Sequence, residues 1–252
     1  MDFTVIIPAR YGSSRFPGKP LADINGKPMI QHVTERAAEA GASAVIVATD
    51  DSRIAAVAEG FARVVMTSDK HESGTERLAE VIQKENLADD TLIVNVQGDE
   101  PFVPAANIRQ VVENLSQRTD VAMTTLGTEM HSADDVLNPN MVKVVRNVKG
   151  EALYFSRSAI PFERSSMMTD PGRTDPSLYL RHIGLYAYRA GYVNQYVSYT
   201  PSALEHTESL EQLRALWYGD KIHVDVASEP PPVGIDTPHD LTRLLALLND
   251  GE

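Results

Sequence analysis

Short apolar runs recur along the first half of the chain, and stretches with helical spacing separate them. The runs cover residues 3–7, 44–48, 63–66 and 91–96, which are lengths typical of buried strands. Between them, apolar side chains return every three or four residues, as at Ile30, Val33 and Ala37. This alternation of strand and helix predicts a mostly parallel sheet with helices on both of its faces.

Turn and cap residues mark where these elements begin and end. Pro8 lacks an amide hydrogen, so we expect the first strand to stop there. Asn25-Gly26 predicts a tight turn, and Pro28 suits the first position of the helix that Gly41 ends. Further helices are expected up to about residue 59, up to about residue 85 and over 104–117, with a strand at 121–126.

The pattern changes after residue 140. Strands at 142–146 and 152–156 flank Lys149-Gly150 and predict a hairpin. Residues 162–178 are rich in Ser, Pro, Asp and Met and are expected to form a loop. A strand at 180–189, a single helix over 203–218 and a strand at 222–226 follow, and Thr237 with Pro238 opens a last helix.

Alternation along the strand at 180–189 places four side chains on one face. They are His182, Gly184, Tyr186 and Tyr188. Such a face lines a pocket or packs against a second subunit, or it is a half-exposed extension of the sheet. The sequence leaves these alternatives open.

Composition narrows the functional classes. The 252 residues carry a net charge of −12, which disfavours a nucleic-acid or anionic membrane surface. The chain has no cysteine, so disulfides, thiolate zinc sites and cysteine nucleophiles are excluded. No apolar stretch approaches the roughly 20 residues of a membrane span, and no signal peptide is evident. We expect a cytoplasmic protein.

Three cations follow the first strand within a Gly- and Ser-rich loop: Arg10, Arg15 and Lys19. A strand that ends in such a loop is suited to polyphosphate, because backbone amides approach the oxygens and cations offset their charge. Neither the P-loop spacing nor the G-x-G-x-x-G fingerprint is present. The alternative is a solvated basic loop.

Two further polar clusters follow predicted strands. In residues 71–77, Ser73 and Thr75 either cap the next helix or hold the edge of a flat ligand. Asp99 comes just after the strand at 91–96, and Asp236 lies between an extended run and a helix. A carboxylate at a strand end is a good Mg²⁺ ligand, although Gly-Asp-Glu-Pro is also good turn sequence.

Seven stretches of this sequence resemble the 3-deoxy-manno-octulosonate cytidylyltransferases, also called CMP-Kdo synthetases. In chain order they are IPARYGSSRFPGKPL, HESGTERL, VNVQGDEP, YFSRSAIP, RHIGLYAYR, LEHTESLEQLRAL and GIDTPHDL. The N-terminal stretch alone is similar in many sugar nucleotidyltransferases, whereas the set is specific. The resemblance implies a single Rossmann-like nucleotidyltransferase domain with a β-rich extension, a homodimer, Mg²⁺ dependence and a place in lipopolysaccharide synthesis.

The resemblance also implies roles for individual residues. It places Arg10, Ser13, Arg15 and Lys19 at the CTP triphosphate. It places Ser73, Gly74, Thr75 and Arg77 at the cytidine, with Gln97 beside the nucleotide and the sugar. Asp99 and Asp236 match metal ligands. The residues matched to the sugar acid are Gln97, Arg157, His182, Tyr186, Glu211 and Gln212.

The reaction implied is CTP plus 3-deoxy-manno-octulosonate (Kdo) giving CMP-Kdo and pyrophosphate. Arg157 and His182 are the candidates for binding the sugar carboxylate. Residues of about 1–130 and 220–252 would form the nucleotide-binding core, and about 140–218 the sugar-binding and dimerisation subregion. The alternatives are a related acid sugar, such as an amino analogue or a sialic acid, and a non-catalytic nucleotide-binding regulator.

Overall fold

A computed structural model describes residues 1–12, 16–71, 73–231, 234–235 and 237–249, with no side-chain detail for 247–249. The strands, numbered in chain order, are β1 (Thr4–Ala9), β2 (Asp23–Ile24), β3 (Lys27–Pro28), β4 (Ala44–Thr49), β5 (Arg63–Met66), β6 (Leu92–Asn95), β7 (Met123–Glu129), β8 (Lys143–Arg146), β9 (Ala152–Ser156), β10 (Leu180–Arg189) and β11 (Ile222–Val226).

The helices are numbered in the same way. They are α1 (Met29–Glu39), α2 (Ser52–Ala58), α3 (Gly74–Lys84), α4 (Ala105–Gln117), α5 (Ala133–Leu137), α6 (Arg164–Met167), α7 (Ala190–Tyr196), α8 (Ala203–Glu208), α9 (Gln212–Trp217) and α10 (Pro238–Asn249). In the part of the chain that the structure describes, no helix is both long and apolar enough to cross a membrane.

One large sheet carries the fold, with its main strands in the order β11-β7-β10-β6-β1-β4-β5. Neighbouring strands run parallel, except that β10 is antiparallel to both β6 and β7. The hairpin predicted at 142–156 is confirmed as β8–β9 and joins the sheet by pairing β8 with β10. The predicted mostly parallel α/β sheet is therefore confirmed, with the reversed strand β10 between β7 and β6 in its main order.

Both faces of the sheet are covered, as the apolar runs predicted. Alternate residues of β1 enter two different hydrophobic clusters: Val5 and Ile7 face one side and Ile6 the other. The first cluster includes side chains of α1, α2 and α4, and the second includes side chains of α3, α7 and α9. Burial on both faces explains why these strands read as continuous apolar runs.

Two proline predictions were wrong by one or two residues. β1 continues through Pro8 to Ala9, because its pairing with β4 extends to Ala9↔Thr49 while its pairing with β6 stops at Ile6. Pro8 thus lies where only one neighbouring strand is paired, and a missing amide hydrogen is tolerated there. Pro28 is the N-cap of α1 rather than its first residue. The Asn25-Gly26 turn and the end of α1 at Gly41 are as expected.

The single helix expected over 203–218 is two helices. Ser209 has φ 52° and ψ 51°, a left-handed conformation that ends α8, and the chain starts again as α9 at Gln212. Arg214 of α9 folds back to make a bidentate ion pair with Glu205 of α8. The predicted loop at 162–178 also contains ordered turns, namely α6 and 3₁₀ turns at Pro171–Arg173 and Pro176–Leu178.

Candidate functional site

The candidate site lies at the carboxyl ends of β1 and β6, where ligands bind in parallel α/β sheets. The reversed strand β10 supplies its second wall. Tyr186 pairs with Asn95, the last residue of β6, so the earlier residues His182 and Gly184 extend beyond the end of β6. A parallel strand would have brought its carboxyl end to this edge instead of its first half.

Two adjoining cavities occupy this edge. The loop cavity, about 280 Å³, is lined by residues 8–10, Gly12, Lys19 and Pro20 and by residues 97–99. The large cavity, about 350 Å³, is lined mainly by β10 and by residues 209–212. Gly74 and Gln97 line both cavities, so a ligand long enough to fill both would pass these two residues.

Gly98 allows the β6 loop to lie against the end of β1. A Cβ atom at Gly98 would stand 2.9 Å from the carbonyl oxygen of Pro8, closer than real contacts permit. This close approach brings Gln97 and Asp99 beside the loop that follows β1. The glycine is therefore required by packing, and its consequence is the shape of the loop cavity.

Lys19 and Asp99 meet in the loop cavity. The Lys19 ammonium donates to Asp99 Oδ2 at 2.7 Å and to the Ile235 carbonyl at 2.8 Å, and its side chain is almost fully buried. The Asp99 side chain keeps 39% of its surface exposed. A buried cation thus fixes one oxygen of a carboxylate that still faces solvent.

The loop between β1 and Lys19 is tied at both ends. Arg10 donates from its guanidinium to the His71 carbonyl, and the Gly18 amide donates to the Tyr11 carbonyl at 2.9 Å. The predicted triphosphate residues Ser13 and Arg15 lie outside the described residues. The predicted cations Arg10 and Lys19 both line the loop cavity, as the polyphosphate interpretation requires.

The start of α3 joins the two cavities. Ser73 is its N-cap and accepts the Glu76 amide at 3.1 Å, which confirms the capping interpretation of that serine. Thr75 lines the large cavity and donates to Glu211 at 3.0 Å. Burial raises the pKa of the Glu211 carboxyl, and the hydrogen bond from Thr75 offsets part of that shift.

One face of β10 forms the wall of the large cavity. His182, Gly184, Tyr186 and Tyr188 all line it, which confirms the predicted alternation and favours the pocket over the other two alternatives. Glu211 and Gln212 also line this cavity, together with the Ser209 turn that separates α8 from α9. The break in the predicted helix is thus what brings Glu211 and Gln212 to the site.

His182 is neutral in this setting. Burial lowers the pKa of its imidazole to about 3, and the nearby charge of Arg181 acts in the same direction. Its Nε2 lies 3.1 Å from the Thr125 hydroxyl. A neutral ring carries no positive charge, so binding of a sugar carboxylate by His182 would need a ring N–H donor, and that role stays a prediction.

Two predicted ligand-binding arginines are engaged by protein groups. Arg77 is fully buried, pairs with Asp50 at 2.7 Å and contacts Thr67. Arg157 donates to the Glu208 carbonyl at 2.6 Å and to the Pro139 carbonyl at 3.1 Å. Neither lines the two cavities, so their direct contact with a ligand stays a prediction.

The donor set at Asp99 fits Mg²⁺ in part. Mg²⁺ is usually held by one or two protein carboxylates together with substrate phosphates. Asp99 offers such a carboxylate at a strand end, next to the cavity that holds the loop cations. Asp236, the second predicted ligand, lies outside the described residues. Among the described residues, no three Asp, Glu or His side chains form a group able to hold a metal.

Sequence reasoning missed some residues that line or support the site. Asn95 ends β6, is 3% exposed and lines the large cavity, and its Oδ1 has no hydrogen-bond partner within the described part of the chain. A lone amide at the end of the apolar run TLIVNV was the available signal. Thr125 lies behind His182 and gave no signal, because threonine is ordinary in a strand.

The sheet contains a reversed strand, cavities lie at its strand ends, and cations from a loop line one of them. Together these features are the arrangement of a nucleotidyltransferase. The sequence matches the profile of the cytidylyltransferase family over residues 4–222. A solved structure of CMP:2-keto-3-deoxy-manno-octonic acid synthetase complexed with CTP is 41% identical, with a TM-score of 0.87 over the full length of both chains. A 4-diphosphocytidyl-2C-methyl-D-erythritol synthase, 13% identical with a TM-score of 0.65 over 98% of both chains, shares the fold.

Curated relatives narrow the family. The 3-deoxy-manno-octulosonate cytidylyltransferase of Alteromonas mediterranea is 68% identical over 97% of this chain and 99% of its own. That of Pseudoalteromonas atlantica is 57% identical over 98% of both chains. The chain therefore belongs to the family of 3-deoxy-manno-octulosonate cytidylyltransferases.

Proposed function

We propose that this protein joins CTP to Kdo, giving CMP-Kdo and pyrophosphate. The observation that carries the proposal is the pair of adjoining cavities, one with loop cations and an exposed carboxylate and the other lined by side chains able to hydrogen-bond hydroxyl groups. The 68% identical relative of that name supports the choice of sugar. A related acid sugar remains the second candidate, since analogues differ in groups that only the large cavity would contact.

In this reaction, the oxygen of the sugar's anomeric hydroxyl bonds to the α-phosphorus of CTP. The bond from that phosphorus to the bridging oxygen breaks, pyrophosphate leaves, and the hydroxyl proton passes to solvent. The two substrates are both anionic, so the protein must offset repulsion between them. Arg10 and Lys19 supply positive charge in the loop cavity, where the triphosphate would lie.

The junction of the cavities is where the two substrates would meet. Gln97 and Gly74 line both, so a nucleotide with its phosphates in the loop cavity would present its α-phosphate near them. Glu211 and Gln212 line the large cavity and would hydrogen-bond sugar hydroxyls there. Tyr186 offers its ring and hydroxyl from β10.

We also propose Mg²⁺ as the cofactor, held by Asp99 and, as the resemblance implies, by Asp236. Bound Mg²⁺ would supply electrostatic stabilisation of the charge that develops on the phosphates. A homodimer, a cytoplasmic location and a place in lipopolysaccharide synthesis are proposals of the same kind. The resemblance implies the dimer, and the need for CTP supports the cytoplasm.

The test is pyrophosphate release from CTP and Mg²⁺ with Kdo, its amino analogue or N-acetylneuraminic acid, each with an EDTA control. We expect release with Kdo, abolished by EDTA. Release with another sugar alone would keep the chemistry and overturn the substrate. No release with any sugar, from folded protein that still binds CTP, would favour the regulatory alternative.

A further inference from the structure

A bulge interrupts β10 where it passes β7. The pairing register between the two strands shifts between Ile183 and Tyr186, so the regular ladder is interrupted there. Thr125 of β7, which is fully buried, lies opposite this bulge. Its hydroxyl oxygen is 3.0 Å from the Ile183 carbonyl oxygen and 2.8 Å from the Leu185 carbonyl oxygen.

These distances assign the hydroxyl proton. A threonine hydroxyl has one hydrogen to donate and two lone pairs to accept with. Two carbonyl oxygens lie within 3.0 Å of Thr125 Oγ1, and neither can donate, so the hydrogen must point towards them. The third neighbour, His182 Nε2 at 3.1 Å, then has to donate to Thr125 Oγ1.

The same contact decides the tautomer of His182. In a neutral imidazole one nitrogen carries the hydrogen and the other accepts. With Nε2 donating to Thr125, Nδ1 is the acceptor, and it has no hydrogen-bond partner among the described residues. The Phe155 ring packs edge-on against the His182 ring with centroids 5.0 Å apart, and the Tyr186 ring lies tilted with centroids 5.4 Å apart. These contacts fix the ring where it lines the large cavity.

We propose that Thr125 is a positioning residue that holds His182 in its Nε2–H tautomer and thereby presents Nδ1 as a hydrogen-bond acceptor to a sugar hydroxyl. The proposal rests on the function proposed above. It reverses the role expected for His182, since a bare nitrogen lone pair repels a carboxylate and attracts a hydroxyl. Thr125 does not line the cavity itself. It would therefore favour a sugar hydroxyl at this point indirectly, through the tautomer of His182.

The first test is the ¹⁵N spectrum of histidine-labelled wild-type protein near pH 7.5, with no ligand added. The His182 signals are assigned by their loss in His182→Gln. We expect a protonated Nε2 and an unprotonated Nδ1. A protonated Nδ1, or a doubly protonated ring, would overturn the proposal whether or not the protein turns over any sugar.

The second test uses a matched pair of variants. Thr125→Val keeps the shape but removes the hydroxyl, whereas Thr125→Ser keeps the hydroxyl. We expect Thr125→Val to lose the single-tautomer signature and to raise KM for Kdo about tenfold, with KM for CTP nearly unchanged; tenfold corresponds to about 1.4 kcal/mol. Thr125→Ser should restore both readouts.

The outcomes separate this inference from the proposed function. If wild-type protein shows the expected tautomer but releases no pyrophosphate with Kdo, the tautomer assignment stands, and both the proposed reaction and the role in sugar binding fail. If Thr125→Val keeps the wild-type tautomer and the wild-type KM for Kdo, the positioning role is overturned. If Thr125→Val does not fold, Thr125→Ser and the wild-type spectrum decide, because loss of the tautomer signature in the serine variant contradicts the proposal.

Discussion

Lys19 and Asp99 are 80 residues apart in the sequence and 2.7 Å apart in the fold. Each was expected at the site for a separate reason, one as a loop cation and one as a carboxylate at a strand end. Neither reason predicted that the two side chains would form an ion pair. The ammonium holds one carboxylate oxygen in place, so Asp99 is ordered before any metal or phosphate arrives.

Replacing Asp99 by Asn tests that carboxylate. Asn keeps the size and one acceptor oxygen but loses the charge that would hold Mg²⁺. We expect turnover of CTP and Kdo to fall about a hundredfold or more, with the circular dichroism spectrum unchanged. Asp90→Asn, at an exposed carboxylate before β6, is the matched control and should turn over normally. Near-normal turnover of Asp99→Asn would remove it as a metal ligand.

The neutral His182 gives a prediction for stability against pH. Unfolded, its imidazole takes up a proton with an ordinary pKa of 6.5, whereas the folded ring stays neutral down to about pH 3. Between these values the unfolded state binds more protons, so this residue makes stability fall as pH falls. Lowering the pH from 7.5 to 5 therefore reduces the free energy of unfolding by about 2 kcal/mol through this residue.

Urea unfolding of wild type and His182→Gln at both pH values isolates that share. The wild type should lose about 2 kcal/mol more than the variant over this interval, because glutamine does not titrate. Equal losses would mean that the folded ring is protonated near its ordinary pKa, contrary to its burial.

At the scale of elements, the site depends on how closely two loops approach. Gly98→Ala places a methyl group against the Pro8 carbonyl, which belongs to a central strand and cannot easily move. The loop carrying Gln97 and Asp99 must then shift, and kcat/KM for CTP should fall at least about tenfold. Gly60→Ala, whose added methyl would meet only an ordinary 3.5 Å contact, is the control. Equal kinetics in the two variants would contradict the packing argument.

The predicted ends of the strands agree with the structure more closely than the predicted ends of the helices. The bounds of β5, β9, β10 and β11 coincide with those predicted, because apolar and alternating runs depend on nearest neighbours along the chain. The prediction of a single helix over 203–218 was wrong because the apolar spacing continues through Ser209. What breaks it is a left-handed residue together with the Glu205–Arg214 ion pair, which forms only when the chain folds back.

At the scale of the whole molecule, metal is expected to serve turnover and not folding. Mg²⁺ is usually held by one or two protein carboxylates together with substrate phosphates, so we expect it to bind largely with the nucleotide. EDTA should therefore abolish pyrophosphate release while leaving the melting temperature of the ligand-free protein unchanged. CTP with Mg²⁺ at a hundredfold excess over Kd should stabilise the protein by about 2.7 kcal/mol. A lower melting temperature in EDTA alone would indicate a structural metal instead.

The sequence by itself determined the α/β class, the strands, the loop cations and, through its resemblance, the family. These follow from local periodicity and from residue types at strand ends, which need no knowledge of the partner strands. Only the tertiary structure decided that β10 runs in reverse, that a helix breaks at Ser209, and that Thr125 lies within hydrogen-bond distance of His182. Each of these depends on groups brought together from distant parts of the chain, where burial and hydrogen bonding outweigh local preference.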